Sequence, residues 1–538
     1  MPSRCCTASY QPANHKDTIA LPSLKRNLGP VDEIGEETEA VCMEGEVPSD
    51  FPLGVLIRNG SSEPFVRRPP VDYVDVREVE PLDGMVHALY FRKDGSRNRI
   101  MAYKNKYVES ETFQIEQWRN KPCFLPAVEG DSSAIWAAYV LNFLRYGEVN
   151  KYTSNTNVIE HVGKTFAITE NYVPIEVDFL TLQTGRAWSI SDGWNHPFTG
   201  HPKKAPETGE LVVMGIDAKK PYYVLGVISA DGERLSHKVD LGFDRSVLSL
   251  VIGVTLKYNV IIDHPLIFDL NRLAKGGPLL KYDNEARTRI GVMARYGEAV
   301  GVKWFNVENS CIFHIFNCFE DGKEVVVTGC KASAVFPGPD HGVDKFEWFS
   351  RGFNFAKPLD GAPQGYLFTR AHEWRLNMET GEVVEVTLTG NDSSMDFPFI
   401  NTEFTGLKNM YGYVQVVDSA ASSESAKLHF RETIPGELES EGRPHRLVKV
   451  QYHDLGEKCF CSGSIFVHRE GGTGEDDGWV VPWVHNEESD ESHKFEEKPV
   501  AKIAMPQRVP YGFHGTFIRI PNSQLLCFAT VVHGSLGE

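Results

Sequence analysis

The stretch Tyr222-Tyr-Val-Leu-Gly-Val-Ile-Ser-Ala-Asp-Gly-Glu-Arg-Leu-Ser-His-Lys-Val239 sets two runs of strong strand formers around Ser229-Ala-Asp-Gly232, a turn that calls for a positive φ. It reads as a β-hairpin. The same grammar of short apolar runs and glycine turns recurs at Asp94-Gly95, Asp321-Gly322, Thr380-Gly381 and Asp477-Gly478. Units of this kind spread over a chain of 538 residues imply a closed all-β assembly rather than a helical or α/β one.

Composition narrows the class of function. Lys plus Arg number 55 against 73 Asp plus Glu, so the net charge is -18 and no basic stripe offers itself to a nucleic acid. The ten cysteines lie mostly in apolar runs without the spacing of a disulfide framework or a paired zinc motif. Reduced thiols in a cytosolic protein follow, with a plastid as the alternative. Residues 1–40 lack periodicity and end in the acidic run Asp32-Glu-Ile-Gly-Glu-Glu-Thr-Glu, which reads as a flexible arm before a single domain over 41–538. The most apolar segment, Ser132 to Gly147, is too short to cross a bilayer. It reads as a helix capped by Asp131 or Ser132 and ended by Gly147. Being apolar nearly all round, it is expected to pack into the protein or to dip toward a membrane. The Gly-rich acidic stretches after Glu470 and Asn486 read as solvated loops, without the spacing of a calcium site.

Near the end, Val509-Pro-Tyr-Gly-Phe-His514-Gly-Thr-Phe-Ile presents an imidazole between two glycines at the entry to a strand. This motif, with Phe51-Pro-Leu-Gly-Val-Leu-Ile-Arg-Asn-Gly, Asp83-Gly-Met-Val-His-Ala-Leu, Phe198-Thr-Gly-His201-Pro-Lys, Arg289-Ile-Gly-Val-Met-Ala-Arg-Tyr-Gly and Phe313-His314-Ile-Phe-Asn-Cys-Phe-Glu-Asp-Gly, resembles the carotenoid cleavage dioxygenases, and most closely their plant 9,10(9',10')-cleaving type. The resemblance runs from about residue 40 onward. It implies a seven-bladed β-propeller with a helical dome over one face. It also implies a non-haem Fe(II) dioxygenase that cleaves a conjugated C=C bond of a carotenoid or apocarotenoid with O2 to give two carbonyl products.

The family's iron ligands fall on His201, His314 and His514, which are far apart in the chain and can meet only if different blades deliver them to one axis. Two outer carboxylates, which would orient ligand imidazoles, fall on Glu170 and Asp396. At two positions the chain departs. The family writes His-Asp before Ile-Gly-Val-Thr where this chain has Leu250-Val251, and a family glutamate falls on Gly463. Leucine binds no metal. A hairpin register that sets Leu250 opposite Asp263 leaves His264 as the local substitute, reachable only by a one-residue slip. An alternative function follows from the two departures, namely a weakened or inactive relative that binds an apocarotenoid or a protein partner. Peripheral membrane contact fits an apolar substrate, and nothing in the sequence fixes an oligomeric state.

Overall fold

The computed structural model describes residues 30–520 apart from 63–82, 94–98, 126–131, 191–192, 277–278, 284, 333–367, 391–392, 418–421, 431–448, 457 and 487–498. The Asp94-Gly95 turn, Asp131 and the acidic loop beyond Asn486 lie outside the described residues. Within them the chain is a succession of antiparallel sheets, as the turn grammar predicts. Four are four-stranded, and each is read off a continuous or nearly continuous stretch of sequence. The hairpin that opens the argument forms one of their edges: Tyr223–Ile228 pairs with Leu235–Asp240, Gly232 takes φ +72°, and the Asp231 carboxylate accepts from the backbone N–H of Glu233 at 3.0 Å.

Such sheets pack face to face through their apolar sides. Val212, Leu225 and Ile252 share one buried cluster between neighbouring sheets, and Val251, Val260 and Ile315 share the next. Repetition of this sheet-on-sheet packing gives a β-propeller. The ring is closed by a sheet drawn from both ends of the chain, in the order Thr38–Glu39, Arg99–Tyr107, Asp83–Lys93, Gly54–Ser62 and Gly512–Arg519. His514 therefore sits on the closing strand.

The domain boundary needs correction. Residues 30–40 are part of the propeller: Val31 and Ala40 are buried, Ile34 N–H donates to Asn105 Oδ1 at 2.7 Å, and Glu37 pairs with Arg92 at 2.6 Å. Charge alone misled the reading, because acidic residues at a sheet edge can find cationic partners.

Helices α1 (Glu111–Arg119), α2 (Ser132–Tyr146) and α3 (Leu270–Ala274) supply the helical part. Gly147 ends α2 at φ +80° with its N–H on Phe143 O. Only one stripe of α2 is covered. Ile135 packs on Leu273 and Leu279, while the buried Asn142 side chain bonds the backbone of Leu125 and Val149. The opposite side leaves Phe143 58% and Leu144 74% exposed, so packing accounts for one stripe of this helix and the alternative of membrane contact stays open for the other. No helix among the described residues is long and apolar enough to cross a membrane.

Candidate metal centre

Each histidine of the centre comes from a different sheet, and backbone irregularities aim them. His314 lies on Cys311–Asp321, where the register slips between Ile312 and His314. A bulge re-aims the following side chain, which is how an imidazole in an apolar strand escapes the packed face. His514 lies on Gly512–Arg519, opposite a slip between Arg58 and Gly60. Its flanking glycines are dictated by close approach, since a Cβ at Gly512 would stand 2.5 Å from Asn59 O and one at Gly515 would stand 2.3 Å from Ile57 O. His201 precedes the short strand Lys203–Lys204, and its N–H donates to Thr199 Oγ1 at 3.0 Å.

The three imidazoles converge. One ring nitrogen of each lies within 4.8 Å of the others, and the ring centroids are 4.5 to 5.6 Å apart. All three are enclosed yet keep some accessible surface, as groups facing an internal channel do. Enclosure and then mutual repulsion push His201 well below the ordinary imidazole range and His514 down to about 3. Both rings are therefore neutral donors at physiological pH. Three converging imidazole nitrogens are a donor set that fits a ferrous ion.

Asp396 stands where an outer carboxylate is expected: its Oδ1 accepts from His314 Nδ1 at 2.8 Å. That bond fixes the ring and leaves Nε2 to face the centre. Asp396 also accepts from Phe397 N–H at 2.8 Å, and Phe397 holds a left-handed φ of +54°. Its ring lies 5.2 Å from His314 and 6.2 Å from His514, so backbone strain here presents an apolar wall to the centre. His201 and His514 have no ring hydrogen bond among the described residues. For His514 this matches the loss of an acidic residue at Gly463, which lies in a bulge at φ +82°.

Glu170 is at the centre's edge without an imidazole partner. Its Oε2 accepts from Thr156 Oγ1 at 2.8 Å, and burial pushes the carboxyl above its usual range. Leu250 is half-buried, with its carbonyl accepting from Thr199 Oγ1 at 3.3 Å. The predicted hairpin forms with Ile252 opposite Ile261 and Val254 opposite Asn259, so its register, continued, does set position 250 across from 263. Asp263 is spent on Arg245 at 2.6 Å and Arg289 at 2.7 Å.

His264 is not a substitute ligand. Its Nε2 donates to Leu248 O at 2.6 Å and its Nδ1 accepts from Ile312 N–H at 3.2 Å, so both nitrogens are used in the core. Burial pushes this ring down to about 4. Protonation would set a second N–H against that of Ile312. The unfolded chain takes up the proton near pH 6.5, so stability is whole above that pH and is lost as pH falls toward 4. Between pH 7 and pH 5, urea denaturation of the metal-free natural chain should lose about 2 kcal/mol more than that of His264→Asn. Equal losses would contradict a neutral buried His264.

Four residues that contribute escaped the sequence reading. Arg58 is buried and donates to Ser462 O at 2.5 Å, to Ser462 Oγ at 3.1 Å and to Pro510 O, tying the approach to His514 onto the neighbouring strand. Thr156 and Asn157 join the centre's parts: Thr156 O accepts from His514 N–H at 3.3 Å, and Asn157 Nδ2 donates to Gly200 O at 2.9 Å. Lys203 is enclosed, has no acidic partner among the described residues, and adds to the depression of His201 and His514. None carries a sequence signal of its own. An apolar cavity of 590 Å³ lined by Phe399, Tyr413, Trp479 and Trp483 touches none of the three histidines.

Comparison with known proteins agrees with this fold. The family described as retinal pigment epithelial membrane protein matches residues 28–519. Carotenoid 9,10(9',10')-cleavage dioxygenase 1 of Phaseolus vulgaris is 30% identical, with 92% of this chain and 89% of that protein covered. Among solved structures, the lignostilbene dioxygenase of Pseudomonas brassicacearum superposes with a TM-score of 0.73 at 20% identity, over 93% of this chain and 99% of that one. A cobalt-substituted apocarotenoid oxygenase of Synechocystis gives 0.69 at 17% identity, over 93% and 98% of the two chains.

Proposed function

Since the chain belongs to the retinal pigment epithelial membrane protein family, the carotenoid oxygenases, we propose that it is an Fe(II) dioxygenase that cleaves one conjugated C=C bond of a carotenoid or apocarotenoid. The observation that carries the reading is the convergence of His201, His314 and His514 within 4.8 Å, with Asp396 fixing one of them. A ferrous ion held there supplies the binding and activation of O2. The C=C bond is broken, and each of its carbons receives one oxygen atom of O2, so no reductant is needed.

The protein's own residues set the conditions for this reaction. Neutral His201 and His514 offer lone pairs rather than protons, and His314 is oriented through Nδ1. Phe397 keeps one wall of the centre apolar, as a polyene and a dry reaction site require. The test is incubation of iron-loaded protein with carotenoids and apocarotenoids under 18O2, followed by mass spectrometry. Two carbonyl products, each with one heavy oxygen, are expected. Retention of iron with no cleavage of any carotenoid, apocarotenoid or stilbene would favour the second reading, a binding protein descended from an enzyme, for which Leu250 speaks.

The exposed apolar side of α2, joined by Trp118 of α1 at 82% exposure, supports peripheral contact with the membrane in which such substrates dissolve. Phe143→Glu with Leu144→Glu should lower co-sedimentation with phosphatidylcholine vesicles at least threefold. An unchanged fraction in the pellet removes α2 as the contact. The buried thiols of Cys311, Cys318 and Cys330, in no disulfide among the described residues, support a reducing compartment, and we retain the cytosol, with a plastid as the alternative.

A further inference from the structure

We propose that Glu170 is the fourth protein ligand of the metal ion, a carboxylate taking the role that Leu250 cannot fill. The inference rests on the three-histidine reading above and adds a residue to it.

Three observations lead there. First, Glu170 is enclosed beside the centre, close enough to interact with His314. Its one side-chain partner among the described residues is the Thr156 hydroxyl, and no cation neutralises it. A buried carboxylate in that state is costly unless a positive charge comes to it. Second, its Oε1 lies against Gly200, the residue before His201. A Cβ there would stand 2.1 Å from Oε1 and 2.8 Å from Thr156 Cγ2. Gly200 has no positive φ that would demand glycine, so the missing side chain serves to admit the carboxylate. Third, the other acids near the centre are engaged, since Asp396 holds His314 and Asp263 holds two arginines.

Charge decides the rest. Three neutral imidazoles leave a divalent ion with its full charge in an enclosed site that also contains Lys203. One anionic ligand offsets half of it, and a fourth neutral ligand would offset none. Glu170 stands outside the 4.8 Å cluster of the three histidines, so the ligand role asks its carboxylate to turn inward from the Thr156 hydroxyl.

The test uses Co2+ as the probe on the full chain, loaded anaerobically. Affinity is read by chelator competition and ligand geometry by the d–d absorption bands. The natural chain is expected to bind one Co2+. Glu170→Gln should bind it at least tenfold more weakly, with a shifted band pattern. Glu170→Asp, which keeps the charge but shortens the reach, should shift the bands too. It serves as the deciding variant if Glu170→Gln does not fold. Binding within threefold of the natural chain and unchanged bands in either folded variant would overturn the role of Glu170 while leaving the three-histidine site standing. A natural chain that takes up no Co2+ would overturn both.

Discussion

Replacing His314 by alanine removes metal retention: after anaerobic loading with ferrous ion and desalting, His314→Ala should hold less than a tenth of the iron held by the natural chain. The imidazole is one of three that converge, and it is the one ring whose orientation is fixed by a carboxylate, at 2.8 Å. Loss of the ring also leaves Asp396 with only the Phe397 N–H and the Cys330 thiol as partners among the described residues. Asp396→Asn isolates the orienting bond. It keeps the shape and the ring, and should weaken metal binding by about 10- to 100-fold, the range seen when outer partners of metal-binding histidines are lost. If His314→Ala kept its iron while remaining folded, the metal would have to lie elsewhere, and the proposed reaction centre would fall with it.

Leu250→His should move in the other direction. Position 250 is tied by Thr199 to the loop that carries His201, and it is half-buried. A histidine there is expected to raise iron affinity at least about tenfold, by supplying an imidazole donor and returning Glu170 from the ion to orienting that ring. Chelator competition on the two proteins reads this directly, and no gain would mean that position 250 does not face the metal. Adding Gly463→Glu looks attractive from the sequence, because it restores a second acidic residue. The structure opposes it. Gly463 has φ +82°, and a Cβ would stand 2.5 Å from Phe513 O, on the residue before His514. A side chain there costs about 1 to 3 kcal/mol in backbone strain alone and pushes on the His514 strand. The double variant should therefore melt below the single one and hold less iron.

The sequence made the strands legible because each hairpin writes its turn locally, as Ser229 to Gly232 does. It made the three histidines legible through motifs that span a few residues each. What it could not show is anything set by a bulge or by packing between distant segments. The slip between Ile312 and His314 decides which way an imidazole faces, yet the apolar run around it looks regular. Phe397 takes a left-handed conformation that a residue before proline does not advertise. His264 was available only through a one-residue slip of the hairpin, which the observed register does not make, and its two partners, Leu248 and Ile312, come from other segments. Helix α2 stayed open for a different reason. An apolar stretch states a preference for leaving water, and only the surroundings decide whether protein or something else covers it.

Closure of the ring by Gly512–Arg519 against Gly54–Ser62 also orders events in time. During synthesis the segments bearing His201 and His314 leave the ribosome long before the one bearing His514, and early domains begin to fold as they emerge. The nascent protein thus passes through a stage with two imidazoles in place and the third still untranslated. Two neutral donors make a poor trap for a ferrous ion, so cofactor uptake belongs to the finished molecule. An ion held by His201, His314 and His514 would tie the closing strand to two segments made earlier, and would act as a clasp that resists reopening of the ring at its seam.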